Sequence, residues 1–83
     1  MQLGERIRAV RECEHLGRHA FSEKTGINKQ TLINIETGKA KKFSALELEK
    51  VGTAFPDYAA FLITGNENEE IRKKLKDNLY YRK

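Results

Sequence analysis

Apolar residues recur at helical spacing from the start of this 83-residue chain. Leu3, Ile7 and Val10 lie at i, i+4 and i+7, so they fall on one face of a helix. The pattern predicts an amphipathic helix from about residue 2 to residue 14. Gly17 either ends this helix or lies in the short connection that follows it.

Two shorter helices are predicted next. A helix over 18–25 would bury Phe21 as its main core side chain. Gly26 follows where helices commonly end, because glycine adopts the left-handed backbone conformation without strain. Asn28 is a typical N-cap residue and predicts a third helix, which Gly38 closes.

The second half of the chain also has helical spacing. The sequence SALE at 44–47 matches a capping box and predicts the start of a fourth helix. Pro56 breaks that helix and can start a fifth, which Gly65 ends. The fourth helix has Leu48, Val51, Gly52 and Phe55 on one side, and the fifth carries Tyr58, Phe61 and Leu62. No segment alternates with period two, so we expect an all-α fold without a sheet.

A sixth predicted helix is basic and follows a polar joint, NENE, at 66–69. Its narrow apolar stripe, spaced i, i+4 and i+8, consists of Ile71, Leu75 and Leu79. We therefore divide the chain into a domain at 1–65 and a C-terminal helix at 66–83. We expect the stripe, together with Phe61, to form a homodimer surface. Two alternatives stay open: an intramolecular brace, and a basic helix laid on DNA.

Charged residues are unevenly distributed, although the formal net charge is only +4. Residues 18–43 carry six basic against two acidic side chains, and residues 71–83 carry six against one. The intervening stretch, 44–70, carries one basic against six acidic side chains. A basic stretch beside an acidic one is expected when one face of a protein meets a polyanion.

Several classes of protein are not expected. No apolar run approaches the ~20 residues that span a bilayer, and the single Cys13 excludes an internal disulfide, so we expect a cytoplasmic protein. No nucleophile or phosphate-cradling motif is present, so we expect neither an enzyme nor a cofactor. His15 and His19 lie near Cys13, but Gly17 separates them and no zinc motif accompanies them, so we expect no metal site.

The third predicted helix has an unusual outer face. Leu32 and Ile35 fall on one side and must face the core. The opposite side, free of carboxylates and lysines, consists of Gln30, Ile33, Asn34 and Thr37. Amide side chains can bond to adenine, and aliphatic groups can contact the methyl group of thymine. The alternative is an ordinary polar helix face on which Ile33 is a stray exposed residue.

The flanks of this helix suit phosphates. Asn28 and Lys29 stand at its start, beside backbone amides that favour an anion. Just after it, a loop opened by glycine carries Lys39, Lys41 and Lys42. Base contacts in the middle and phosphate contacts at the edges are the arrangement expected for a DNA-binding helix.

The chain resembles the Cro/lambda-repressor-like (XRE-type) helix-turn-helix family. The similarity runs through LGERIRAVRE, FSEKTGINKQTLINIETGKAKK, LELEKVGTAF and FLITG, about four-fifths of the chain. Its most specific positions are Gly26 and Ile27 in the turn, then Leu32 and Ile35, and the closing IETGK.

The resemblance implies a five-helix domain whose third helix enters the major groove of DNA, followed here by a sixth helix. The base-contacting positions would be Asn28, Lys29, Gln30, Ile33, Asn34 and Thr37. Arg18 and His19 would approach phosphates together with the loop lysines. Arg11 and Glu36 would form a structural, partly buried ion pair.

Three positions depart from the family pattern. Arg18 replaces the usual glutamine and is a phosphate donor that contacts no base. Ser22 replaces a small residue, so its hydroxyl is expected to bond back within its own helix. Gly17 replaces a capping hydroxyl at the start of the second helix.

The function expected from these features is sequence-specific repression by a homodimer bound to a palindromic operator. Three alternatives stay open. The chain could be an antitoxin that binds a toxin and regulates its own operon, or a controller protein of a restriction–modification system. It could also be an interaction domain without a DNA role.

Overall fold

A computed structural model describes residues 2–39 and 45–77. Within these ranges the chain forms six α-helices, one 3₁₀ turn and no strand. The helices are α1 (Leu3–Cys13), α2 (Arg18–Thr25), α3 (Lys29–Glu36), α4 (Ala45–Ala54), α5 (Ala59–Thr64) and α6 (Glu69–Asp77), with the 3₁₀ turn at Pro56–Tyr58. The predicted all-helical fold is confirmed there. The SALE capping box cannot be compared, because Ser44 lies outside the described residues.

Helix α1 ends four residues before Gly17, at Cys13, and the turn that follows uses a histidine. His15 has a left-handed backbone (φ 56°), and its N–H donates to the carbonyl of Glu12 (3.0 Å). The N–H of Leu16 donates to the carbonyl of Arg11 (3.1 Å). These two bonds form a Schellman motif with histidine in the position that usually holds glycine. Gly17 lies in the connection, with an ordinary extended backbone.

Hydrogen bonds fix the connection between α2 and α3. Gly26 has the predicted left-handed conformation (φ 79°) at the end of α2. Thr25 Oγ1 donates to the carbonyl of Phe21 (2.8 Å) and accepts from the N–H of Ile27 (3.2 Å). The expectation that Ser22 bonds back within its helix is wrong, since its hydroxyl donates across the turn to the carbonyl of Ile27. This bond satisfies a buried residue of the connection.

The core lies where α1, α2, α3, α4 and α5 meet. The rings of Phe21 and Phe55 stack with their centroids 5.3 Å apart and their planes within 5°. Gly4 of α1 lies directly against the backbone of α3, and a Cβ atom there would overlap the carbonyl oxygen of Ile35. Glycine is therefore required for this close approach. The other buried apolar residues include Ile7, Ala9, Val10, Ile27, Leu32, Val51, Tyr58 and Leu62.

Helix α6 shares this core. Ile71 and Leu75 are 4% and 6% exposed, and Phe61 of α5 is 1% exposed. The prediction that these three side chains form a dimer surface is wrong for this structure, because they are already buried within one chain. The alternative of an intramolecular brace describes their packing, while Leu79, also predicted to dimerise, lies outside the described residues.

Two polar contacts set the position of α6. Asn68, within the predicted polar joint, caps the helix, because its Oδ1 accepts from the N–H of Ile71 (2.8 Å). Lys74 Nζ donates to the hydroxyl of Tyr58 (3.2 Å), which in turn donates to Glu14 Oε2 (2.8 Å). This chain of bonds joins α6 to the end of α1 through the 3₁₀ turn.

Burial and the bond to Glu14 raise the pKa of Tyr58 to about 12. The pKa of Lys74 is also raised, chiefly by its hydrogen bond to that hydroxyl. At neutral pH the bonding pattern is therefore a neutral phenol between an ammonium and a carboxylate.

None of the helices within 2–39 and 45–77 combines the length and the apolar character needed to cross a bilayer.

Candidate nucleic-acid interface

Helix α3 is oriented as its apolar spacing predicts. Leu32 and Ile35 are buried, while Gln30 and Thr37 are exposed. Ile33 and Asn34 differ from the expectation of solvent-facing residues, because both are half-buried. The outer face of α3 is thus exposed at its two ends, Gln30 and Thr37, and half-buried between them.

Asn28 caps the start of α3, as predicted. Asn28 Oδ1 accepts from the N–H of Gln30 (2.8 Å). Asn28 and Lys29 are both exposed. The cap occupies the carbonyl oxygen of Asn28, so its amide nitrogen is the part of this side chain available as a donor to a ligand.

Two amide side chains on the outer face are bonded to each other. Gln30 Nε2 donates to Asn34 Oδ1 (3.1 Å), one helical turn further along. At the C-terminal end of α3, the hydroxyl of Thr37 donates to the carbonyl of Ile33 (2.7 Å). Thr37 therefore faces outward as an acceptor, since its proton is used within the helix. Glutamine–asparagine bonds one turn apart also stabilise helices.

A buried ion cluster holds the end of α3 against α1. Arg11 makes the predicted pair with Glu36 in bidentate form, with Nε–Oε2 and Nη2–Oε1 distances of 2.9 and 2.8 Å. The Glu36 side chain is 0% exposed. Arg11 also donates to the carbonyl of Leu16 (3.0 Å), which fixes the turn after α1. The structural role predicted for this pair is confirmed.

Arg18 joins the same cluster. Its Nε lies 3.3 Å from Glu36 Oε1, and its side chain is 33% exposed. The phosphate contact predicted for Arg18 stays a prediction, and the structure adds a partner that sequence reasoning missed. Periodicity gave no signal for this contact, because the two residues are 18 positions apart on different helices.

The remaining predicted phosphate contacts are peripheral. His19 is exposed and lies 3.1 Å from Glu23, an ion pair only when the imidazole is protonated. Lys39 is exposed, whereas Lys41 and Lys42 lie outside the described residues. Lys50 of α4 reaches the carbonyl of Gly26 (3.5 Å) and adds a cation beside the connection that sequence analysis did not single out.

The described residues hold no group of three or more histidine, cysteine or acidic side chains arranged for a metal ion. Cys13 is half-buried against the core, and burial raises the pKa of its thiol above the usual value. This thiol is therefore protonated at neutral pH, which is the less nucleophilic and less metal-binding form.

No protein-family model, curated protein or solved structure matches this chain. The resemblance to the Cro-like family therefore depends on the sequence motifs alone.

Proposed function

We propose that this protein binds double-stranded DNA sequence-specifically, with α2 and α3 acting as a helix-turn-helix unit and α3 lying in the major groove. The observation that carries the proposal is the outer face of α3. It holds a hydrogen-bonded amide pair, Gln30 and Asn34, and contains no carboxylate. Amides are the side chains best matched to adenine in the major groove, and a carboxylate would repel the phosphates.

The attachment of α3 supports this role. Leu32 and Ile35 anchor its inner face in the core, and Glu36 is held by Arg11 through two short bonds. Gly4 allows α1 to lie directly against the end of the helix. A helix held at several points presents its outer side chains in one orientation, so little conformational freedom is lost when it binds.

Positive charge around α3 supports phosphate binding. Lys29 at its start and Lys39 after its end are exposed, and Arg18 at the start of α2 is partly exposed. Cations on both sides of a polar helix suit the two backbones that border a groove. In this proposal Lys41 and Lys42 join Lys39 in binding phosphate after the end of α3. The protein is expected to act as a repressor in the cytoplasm.

Homodimerisation belongs to the same proposal, because a palindromic operator requires two copies. Since Phe61, Ile71 and Leu75 are buried in one chain, the surface must lie elsewhere. Ile63 of α5 is 65% exposed, beside an apolar groove of about 360 Å³ between α4 and α5. We place the two-fold contact there. Ile63→Asp should convert a dimer to a monomer by sedimentation, and an unchanged mass would reject this surface.

The test of the proposed function is binding-site selection from randomised duplexes, with the oligomer mass measured alongside. A recovered two-fold-symmetric motif is the expected result. Lys39→Ala should weaken cognate and random duplexes equally and reduce the slope of log affinity against log salt by about one. If the wild-type protein recovers no motif and binds only weakly and non-selectively, the proposed function is rejected.

A further inference from the structure

Gln30 and Asn34 form one hydrogen-bonded unit on the outer face of α3. Their bond uses one N–H of Gln30 and one lone pair of Asn34 (3.1 Å). The Oε1 atom of Gln30 and the Nδ2 group of Asn34 take no part in it. The pair therefore offers an acceptor and a donor to a ligand, from two side chains that restrain each other.

This outcome does not depend on how the two amides are turned. Rotating both by 180° makes Asn34 the donor within the pair and Gln30 the acceptor. The groups left over are then the amine of Gln30 and the oxygen of Asn34. In either orientation one carbonyl oxygen and one amine of the pair take no part in its internal hydrogen bond.

Only one base edge in the major groove matches an acceptor beside a donor. Adenine presents N7, an acceptor, next to its N6 amine, a donor. Guanine presents two acceptors, so the free carbonyl oxygen of the pair would face another acceptor. Cytosine offers a donor alone, and thymine offers an acceptor beside a methyl group. Half-buried Ile33 supplies an aliphatic group within the same face.

We propose that Gln30 and Asn34 act as a single composite amide that recognises one adenine, each supplying one of its two hydrogen bonds. This inference rests on the proposed function and deepens it, because it names the base and makes two residues responsible for one position. Two independent amides would each specify their own base. The two cases therefore predict different behaviour when both side chains are removed.

The experiment is a double-mutant cycle on the selected duplex, with Gln30→Ala, Asn34→Ala and the double variant. Each single variant should lose about 5- to 150-fold in affinity, as expected for one bidentate base contact. Both should lose the preference for adenine at the same position. The double variant should lose little more than either single one, because the first substitution already breaks the unit.

A modified base gives a second readout. Replacing the adenine with 7-deazaadenine removes N7 and keeps the N6 amine and base pairing. The wild-type protein should bind this duplex several-fold more weakly, whereas both single variants should bind it as they bind the unmodified site. Lys39→Ala is the matched control. Because Lys39 lies outside the amide pair, this variant should lose the same factor in affinity on the modified duplex as the wild type does.

Additive losses, with each variant relaxing a different position, would overturn the composite unit and leave the proposed function standing. Selection of a motif without adenine at the affected position would overturn it in the same way. If the wild-type protein selects no motif, both proposals fail. Thermal melting of each variant should stay close to wild type, because the bond between the two side chains is exposed on α3.

Discussion

Two polar clusters hold other helices against α1, and they use different chemistry. At one, Arg11 binds the fully buried carboxylate of Glu36 through two charged bonds, and Arg18 adds a third. At the other, Lys74 reaches Glu14 through the neutral hydroxyl of Tyr58. The first cluster fixes α3, which carries the proposed DNA-binding face, and the second fixes α6.

The difference indicates how firmly each helix is held. A buried carboxylate without its partners is costly, so loss of one member of the Glu36 cluster should strongly destabilise the fold. Around Tyr58, Glu14 and Lys74 are only half-buried, so water can replace a lost bond. We therefore expect perturbations near α3 to cost more than equivalent ones near α6.

Removing the buried carboxylate should have the largest effect. Glu36→Ala leaves Arg11 and Arg18 without their shared acceptor, and we expect it to lower the free energy of unfolding by about 3–5 kcal/mol in urea denaturation. Glu23→Ala removes an exposed carboxylate of α2 and is the control. A loss at Glu36 no greater than that of the control would show that the cluster contributes little to stability.

Filling the contact between α1 and α3 should be next. Gly4→Ala places a methyl group against the carbonyl of Ile35, so the two helices must separate, at a cost of about 1–3 kcal/mol. Gly17→Ala is matched to it, because no atom lies within 4 Å of a Cβ there and the backbone is extended. Equal melting temperatures for the two variants would mean that the close approach is unimportant.

The cluster at α6 should respond to alkaline pH. The pKa of Tyr58 is raised from 10.0 to about 12 in the folded chain, so its contribution is complete below pH 10 and is lost as the pH rises towards 12. The raised pKa of Lys74 acts in the same direction.

Tyr58→Phe should cost about 1 kcal/mol at neutral pH and should flatten the decline in stability between pH 10 and 12. Urea midpoints measured across this range, for both proteins, check the prediction. Parallel declines would place the alkaline sensitivity elsewhere.

The last expected effect is a gain in stability, no larger than the loss at Tyr58. His15 has a left-handed backbone. It lies between Glu14, whose side chain accepts from Tyr58, and Leu16, whose carbonyl accepts from Arg11. His15→Gly should relieve this strain and stabilise the domain by about 1 kcal/mol. His15→Ala keeps the strain and should bring no gain, as thermal melting would reveal. A gain from alanine would attribute the effect to the histidine ring instead.

Local patterns predicted more of this molecule than distant contacts did. Helix positions, the Asn28 cap and the burial of Leu32 and Ile35 follow from spacing within a few residues, and they were predicted. The Arg11–Glu36 pair was predicted only through the family resemblance.

The bond between Tyr58 and Glu14 joins residues 44 positions apart, and periodicity gives no information at that range. The stripe of α6 shows the same limit. Its spacing correctly indicated that Ile71 and Leu75 face a partner, but it could not indicate whether that partner was a second copy or the same chain.

Helix α3 has only eight residues, Lys29–Glu36. Isolated helices shorter than about 12–15 residues are marginal in water, because nucleation costs more than so few bonds return. A synthetic peptide of this segment should therefore be mostly coil by circular dichroism. The amide face then exists only while the surrounding domain is folded, so partial unfolding of the domain would abolish the proposed base recognition even though every residue proposed to contact DNA is still present.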